Sequence, residues 1–411
     1  VSDGDAMAAQ AAIAARVAEF YESHPYPPAL DGLDEYRRRW DDARRRAESH
    51  LFWPGESFRE DRSVLVAGSG TTQAARYAVR WPRARIVGID VSAASLAFAE
   101  ELKRKHGLEN LELHRLPVER AEELGRRFDH VVCTGVLHHL ADPDAGLRAL
   151  RGVLESSGAL HLMLYAPYGR AGVYMLQEYC RRLGIEANGT AIRDLIATMQ
   201  VLPPDHPIAP LLRASRDFAS EAGVADALLH PRDRAYSVPQ FFDFLQSTGL
   251  VFGRWLRQAP YLPQCGAIAS TPHAALLERL SAPEQYAALE LFRGAMVRHS
   301  VIAYASEESA RRHRIAFNDD TWLRYVPIRF PDTAVVRERL PAGAVAVLIN
   351  RGHAFPDLYL PIDARQERLL ECINGERQIG ELGRATADKE FAREFFRQLW
   401  RWDQILFDAS R

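Results

Sequence analysis

Ser63-Val64-Leu65-Val66-Ala67-Gly68-Ser69-Gly70-Thr71-Thr72 passes from a short apolar run into a glycine-rich turn. The run reads as a strand, and a helix is expected over about Thr72–Arg80. Arg85-Ile86-Val87-Gly88-Ile89 is a second strand that ends at Asp90, with a helix over about 93–105 behind it. Further strands are expected at Leu111–His114, Asp129–Cys133 and Ala159–Tyr165, with a helix over 142–154. Short β-rich runs separated by helices specify a parallel sheet buried on both faces, an α/β architecture.

The turn has a chemical reading. Glycine allows a tight bend and close approach of a ligand, and a helix N-terminus offers N–H donors. Asp90 lies 20 residues after Gly70 at the tip of the next strand, where a carboxylate can accept the hydroxyls of a ribose. The competing reading is a tight turn plus an N-cap aspartate for the helix after Ser92. A dinucleotide fingerprint needs glycine where this chain has Gln73, and no lysine follows to make a phosphate loop. The turn therefore suits a nucleoside ligand without phosphates.

Working outward, residues 1–61 are helical and charged, broken at Tyr21-Glu22-Ser23-His24-Pro25-Tyr26-Pro27-Pro28, where three prolines in four positions specify a rigid, aromatic, extended loop. A helix is expected over Asp34–Leu51. Residues 168–230 and 258–296 read as helical insertions. They flank a helix at Val238–Thr248 and a strand at Leu250–Arg257, and a strand at Ser300–Ala305 follows. A polar linker over 307–325 leads to a last unit, 326–411. Its parts are a hairpin around Asn350-Arg351-Gly352-His353, helices at 364–373, 379–385 and 389–400, and a closing strand at Ile405–Phe407. Phe391, Phe395, Leu399 and Trp402 share one helical face, which reads as core.

The chain has 411 residues, enough for two or three domains. Its 47% hydrophobic and 26% charged residues exclude a disordered or collagen-like chain. The 52 Lys+Arg against 54 Asp+Glu give a net charge of -2, so nucleic acid and anionic membrane are disfavoured partners. Cys133, Cys180, Cys265 and Cys372 have no metal-like or redox-like spacing and are expected to be reduced and buried, as in a cytoplasmic protein. No apolar run reaches the ~18 residues of a membrane span. The Ala-rich start, Ala6–Phe20, carries Asp3 and Asp5 where a signal peptide is basic, and reads as an amphipathic helix.

Taken together, these residues resemble the class I S-adenosylmethionine-dependent methyltransferases (type 11/12-like), over about 62–166 and again over 236–305. Ser63–Gly70 looks like that family's first-strand motif and Ile89-Asp90 like its ribose motif. Phe128-Asp129-His130-Val131-Val132-Cys133-Thr134-Gly135-Val136-Leu137-His138-His139-Leu140 looks like the fourth-strand motif, and Leu150–Leu162 like the approach to strand five. The resemblance implies a seven-stranded Rossmann-like sheet whose last strand, Ser300–Ala305, is reversed. It implies S-adenosylmethionine as cofactor, S-adenosylhomocysteine as product, and cofactor contacts from Ala67, Gly68, Ser69, Gly70, Asp90, Val91, Val118, Glu119, Thr134 and Gly135. The chain departs from the pattern where Ala67 replaces a frequent acid, where Thr72 replaces a third glycine, and where Pro117 stands at a frequent acid, Glu119 being the nearest carboxylate.

Methyl transfer from a sulfonium needs an aligned nucleophile and dry surroundings, with a base only if the nucleophile carries a proton. The candidate catalytic residues are His138 and His139, just past strand four. As a metal site the pair lacks an evident third ligand, so no metal is expected. Candidate substrate residues are Tyr21 and Tyr26 on the proline loop, Tyr165 and Tyr168 after strand five, and Arg232 and Arg234, which could clamp a carboxylate or phosphate or form an ion-pair turn. The acceptor, a small molecule or a peptide, is not identified by the sequence. The last unit weakly resembles a winged-helix or peptide-recognition module by element order alone, and a homodimer through it is an option. The rival readings are a non-catalytic cofactor- or peptide-binding scaffold and, disfavoured by Gln73, an NAD-dependent oxidoreductase.

Overall fold

The computed structural model describes residues 3–383 and 388–411. The chain opens with helix α1 (Asp3–Ser23), which runs to the second residue before Pro25, so Tyr21, Glu22 and Ser23 are helical and only the remainder of the proline segment is irregular, with bends at His24, Tyr26 and Pro27. The single helix expected over 34–51 is two, α2 (Asp34–Arg38) and α3 (Asp42–Phe52). Asp41 breaks it by capping α3, accepting from the Arg44 N–H at 2.8 Å.

The expected alternation then appears. The elements are β1 (Ser63–Ala67), α4 (Gln73–Arg80), β2 (Arg85–Asp90), α5 (Ala93–His106), β3 (Leu111–Arg115), β4 (Phe128–Thr134), α6 (Pro143–Gly152) and β5 (Leu154–Tyr165). The β1–β2, β1–β4, β2–β3 and β4–β5 pairs are all parallel. Val64, Leu65, Val66 and Ala67 are buried on successive, opposite faces, the mark of a sheet covered on both sides. β5 starts five residues before the expected strand, and its early residues meet Phe128 across a register shift.

Residues 168–230 form α7 (Ala171–Arg182), α8 (Gly189–Met199), α9 (Ala209–Ala214) and α10 (Glu221–Leu228). These bury Val173, Leu176, Ile192, Leu195, Val224 and Leu228 in one cluster with Phe20 of α1. Each such side chain contributes roughly 1.5–3 kcal/mol of burial. The pattern then continues with α11 (Val238–Ser247), β6 (Val251–Trp255), α12 (Ala274–Leu277), α13 (Ala282–Arg293) and β7 (Arg298–Tyr304). The seven strands share a mixed sheet of order β3-β2-β1-β4-β5-β7-β6, with β6 antiparallel to β7.

The expected linker carries a helix, α14 (Glu307–Arg312), and a 3-10 turn at Asp320–Arg324. Beyond it lie β8 (Val326–Arg329), β9 (Thr333–Val336), β10 (Ala346–Asn350), β11 (Tyr359–Ile362), α15 (Ala364–Glu371), α16 (Ile379–Gly383), α17 (Lys389–Arg401) and β12 (Ile405–Asp408). The last two residues expected for the 379–385 helix lie outside the described residues. The expected hairpin is β10–β11, extended by β9 into three antiparallel strands, while β12 pairs antiparallel with β8. The described strands of this unit form this three-stranded sheet and a separate two-stranded one.

The chain falls into two compact units. One holds the chain up to Arg39, Glu60–Leu250 and Gly294–His299; the other holds Trp40–Arg59, Val251–Arg293 and the chain from Ser300 onward. The second has its own core, including Trp322, Leu348, Leu360, Phe395, Leu399 and Phe407, and a fully buried Asp403 that accepts from Arg254 Nη2 at 2.9 Å and from the Ala259 N–H at 3.0 Å. All residues of the candidate site belong to the first. Cys133, Cys180 and Cys265 are free and buried, and Cys372 is free and half-buried. Among the described residues no helix is long and apolar enough to cross a membrane.

Candidate functional site

The glycine turn follows β1 directly. Gly68 (φ +69°) and Gly70 (φ +53°) occupy the left-handed region that glycine alone enters freely. A Cβ on Gly68 would collide with Val136, and one on Gly70 would lie 2.5 Å from the Tyr26 carbonyl oxygen. Three amides of the turn are already committed. Gly68 and Ser69 N–H both donate to Ile89 O at 2.9 Å, and Gly70 N–H donates to Asp90 Oδ2 at 2.8 Å. Donation from these amides to a ligand, expected from the sequence, is therefore replaced by a turn braced against the tip of β2.

Asp90 is the centre of that brace. Its other oxygen accepts from the Ser92 N–H at 2.9 Å. The N-cap of α5 is Ser92, whose hydroxyl accepts from Ser95 N–H at 3.0 Å, so Asp90 is not the cap of that helix. Burial pushes the Asp90 carboxyl above its ordinary range, against the lowering effect of its backbone donors. A carboxylate offers about four acceptor positions, and the two hydrogen bonds to Gly70 and Ser92 leave room for more. Beside it the Ser69 and Thr72 hydroxyls are buried with no hydrogen-bond partner.

The other expected cofactor residues line the same tips. Val91 O accepts from Arg115 Nε at 3.1 Å. Val118 is buried and Glu119 half-buried at the start of a 3-10 turn, and burial raises the Glu119 carboxyl's pKa. Thr134 Oγ1 accepts from Gln73 Nε2 at 2.7 Å, so the glutamine that departs from a dinucleotide fingerprint braces the β4 tip. Gly135 follows at φ +79°.

The end of α1 and the proline segment lie over this turn as a strap. Thr71 Oγ1 donates to Pro27 O at 2.6 Å, and Ser92 Oγ to Tyr21 O at 3.1 Å. The Tyr21 hydroxyl donates to Asp226 Oδ1 at 3.0 Å. Burial, reinforced by Asp226, holds the Tyr21 and Tyr26 phenols protonated by raising both pKa values, and burial also raises the Asp226 carboxyl's.

The two candidate histidines sit on a 3-10 turn, Leu137–His139, just past β4, and both are buried. Their rings meet edge to face at 4.3 Å. His138 lies 4.0 Å from the Tyr165 ring, and His139 lies 3.8 Å from His230. Segment 230–236 docks against this turn through Arg234 N–H to His138 O (3.2 Å) and Tyr236 N–H to Tyr165 O (2.9 Å). That docking delivers Asp233, whose Oδ2 accepts from Gln177 Nε2 at 3.1 Å and Arg170 Nη2 at 3.2 Å. Arg170 also lies 3.5 Å above the Tyr165 ring. Burial lowers the pKa of His138, and that of His230 to about 2, so both are neutral imidazoles near pH 7.

The two expected clamp arginines do other work. Arg232 Nε and Nη2 donate to Leu140 O (2.7 Å) and Ala141 O (3.3 Å), and Arg234 lies 4.8 Å above Tyr236. Of the tyrosines, Tyr21 and Tyr165 converge on the histidine cluster, whereas Tyr168 is 44% exposed. Asp226 and Gln177 carried no sequence signal, because each is one polar residue within an ordinary helix.

Comparison with known proteins bears on the fold that carries this geometry. Residues 65–160 match the family model described as Methyltransferase domain. An uncharacterized protein of Synechococcus sp. is 32% identical over 248 residues, 57% of this chain and 58% of that protein. The ubiquinone biosynthesis O-methyltransferase of Acinetobacter baumannii is 29% identical over 76 residues, 18% of this chain and 32% of that enzyme. The chain thus spans less than two thirds of either relative. The solved structure of PKMT2 from Rickettsia typhi in complex with AdoHcy superposes with a TM-score of 0.61 at 14% identity, over 93% of this chain and 77% of that one. At that identity the likeness shows a shared fold, the seven-stranded Rossmann-like one.

Proposed function

We propose, from the match of residues 65–160 to the family model described as Methyltransferase domain, that this chain transfers a methyl group from S-adenosylmethionine to a small-molecule or peptide acceptor. The observation that carries the reading is the Asp90 carboxylate at the tip of β2, tied to Gly70 N–H of the β1 turn at 2.8 Å. The AdoHcy in the Rickettsia structure supports it. The residues present suit such a nucleoside. Asp90 keeps acceptor capacity for two ribose hydroxyls, the Ser69 hydroxyl is buried without a partner, and the glycines present no Cβ.

When bound, S-adenosylmethionine supplies a methyl carbon made electrophilic by positive sulfur: the acceptor's lone pair forms the new bond as the carbon–sulfur pair returns to sulfur. The chain's part is to bind, orient and exclude water. Asp90 holds the sugar, while Val91, Val118, Glu119, Thr134 and Gly135 form the walls. The strap of Tyr21 and Tyr26 closes the site from solvent. His138, His139 and Tyr165 face the acceptor side. His139 donates from Nδ1 to Arg232 O at 2.7 Å, which fixes the orientation of its ring beside His138.

Replacing Asp90 with alanine tests the reading. We expect S-adenosylhomocysteine affinity, measured by calorimetry, to fall roughly tenfold or more through loss of charge-assisted hydrogen bonds, with an unchanged circular dichroism spectrum. Equal affinities would refute the role of Asp90. A second reading, a scaffold with a closed cofactor turn, is favoured by one observation: the Tyr26 carbonyl and Pro27 lie against Gly70. A folded wild-type chain with no affinity for S-adenosylhomocysteine would select it.

A further inference from the structure

We propose that His138, His139 and Asp233 form a binding site for a divalent transition-metal ion. One nitrogen of each imidazole and one carboxylate oxygen lie within 4.8 Å of one another. All three side chains are buried, that of Asp233 only 2% exposed.

Their hydrogen bonds fix which atoms are left over. A carbonyl oxygen only accepts, so the 2.7 Å contact to Arg232 O places a proton on His139 Nδ1 and a lone pair on Nε2. Asp233 Oδ2 accepts from Gln177 and Arg170, and Oδ1 has no partner. Neither nitrogen of His138 has a partner, and a neutral imidazole bears one lone pair. Three buried lone pairs therefore converge with no protein donor to meet them. An unmet buried acceptor is destabilising, and one cation satisfies all three.

The donor set selects the cation. Two imidazole nitrogens and one carboxylate oxygen suit zinc, iron(II) or cobalt(II) and leave coordination positions open. The supporting contacts are those of metal ligands: a histidine whose other nitrogen donates to a main-chain carbonyl, and a carboxylate whose second oxygen is held by Arg170 and Gln177. Asp226 offsets the charge of Arg170 nearby. For function, and here the argument rests on the transferase reading, an ion at this point would hold the acceptor's nucleophilic atom and ease loss of its proton.

The test uses the full chain, stripped with a chelator and titrated with cobalt(II) and zinc alone, without nucleoside. We expect one equivalent bound at micromolar or tighter affinity and a cobalt visible absorption spectrum typical of nitrogen and oxygen ligands. Both should weaken at least tenfold in His139→Gln and in Asp233→Asn, chosen to preserve volume. Circular dichroism and urea denaturation report that each variant is folded. Less than about a tenth of an equivalent bound, or equal affinity in wild type and both variants, overturns the proposal. Because this titration contains no nucleoside, its failure leaves the cofactor reading standing, and the reverse also holds.

Discussion

Gly70 is the point where the glycine turn meets the backbone of the strap. At φ +53° it sits where a side chain is strained, and a Cβ would meet Tyr26 O at 2.5 Å and Pro27 Cδ at 3.1 Å. Gly107, at φ +59°, has nothing within 4 Å and serves as the control. Gly107→Ala should cost about 1 kcal/mol of backbone strain. Gly70→Ala should cost measurably more in urea denaturation, because backbone atoms of the strap must also move; equal losses would mean that the strap does not press on the turn. Gly70 and Asp90 were legible in the sequence because a strand, a turn and an acid 20 residues on are one local unit. Asp233 was not, since nothing in the short polar segment after the helical insertion announces that position 232 will meet a histidine 93 residues earlier.

At the scale of elements, β3 is an edge strand of the sheet, and it carries charge there. Glu112 of β3 faces Arg85 of β2 and Arg126 before β4. Arg126 first, then Arg85, hold the Glu112 carboxyl down at about 2. A depressed carboxyl contributes stability that is present above its ordinary value and fades as pH falls toward 2. Glu112 is 40% exposed, so solvent screens the pair, and Glu112→Gln should cost at most about 1 kcal/mol at pH 7. In urea denaturation at several pH values the difference from wild type should shrink below pH 4; a constant difference would show that packing, not charge, holds this edge. Strand and helix identities across 63–165 were readable because the sheet buries both faces of each strand. Boundaries were less so: α1 continues through Ser23, since proline forbids helix only from the residue before it, and Asp41 breaks what looks like one long helix.

For the molecule as a whole, the sequence suggests a linear series of N-terminal helical segment, α/β domain with insertions, linker and C-terminal unit. The compact units are interleaved instead, with residues 40–59 and 251–293 grouped with the C-terminal part. Such grouping depends on long-range packing, which local periodicity does not encode. The cofactor turn, the strap and the histidine cluster all belong to the other unit, so the central claim can be tested on them directly. The measurement is a crystal structure of the chain grown with S-adenosylhomocysteine. The account predicts both ribose hydroxyls within hydrogen-bond distance of the Asp90 carboxylate, with the sulfur directed toward the turn at His138 and His139. A nucleoside bound elsewhere, or a turn still filled by Tyr26 and Pro27 at saturating ligand, would contradict it.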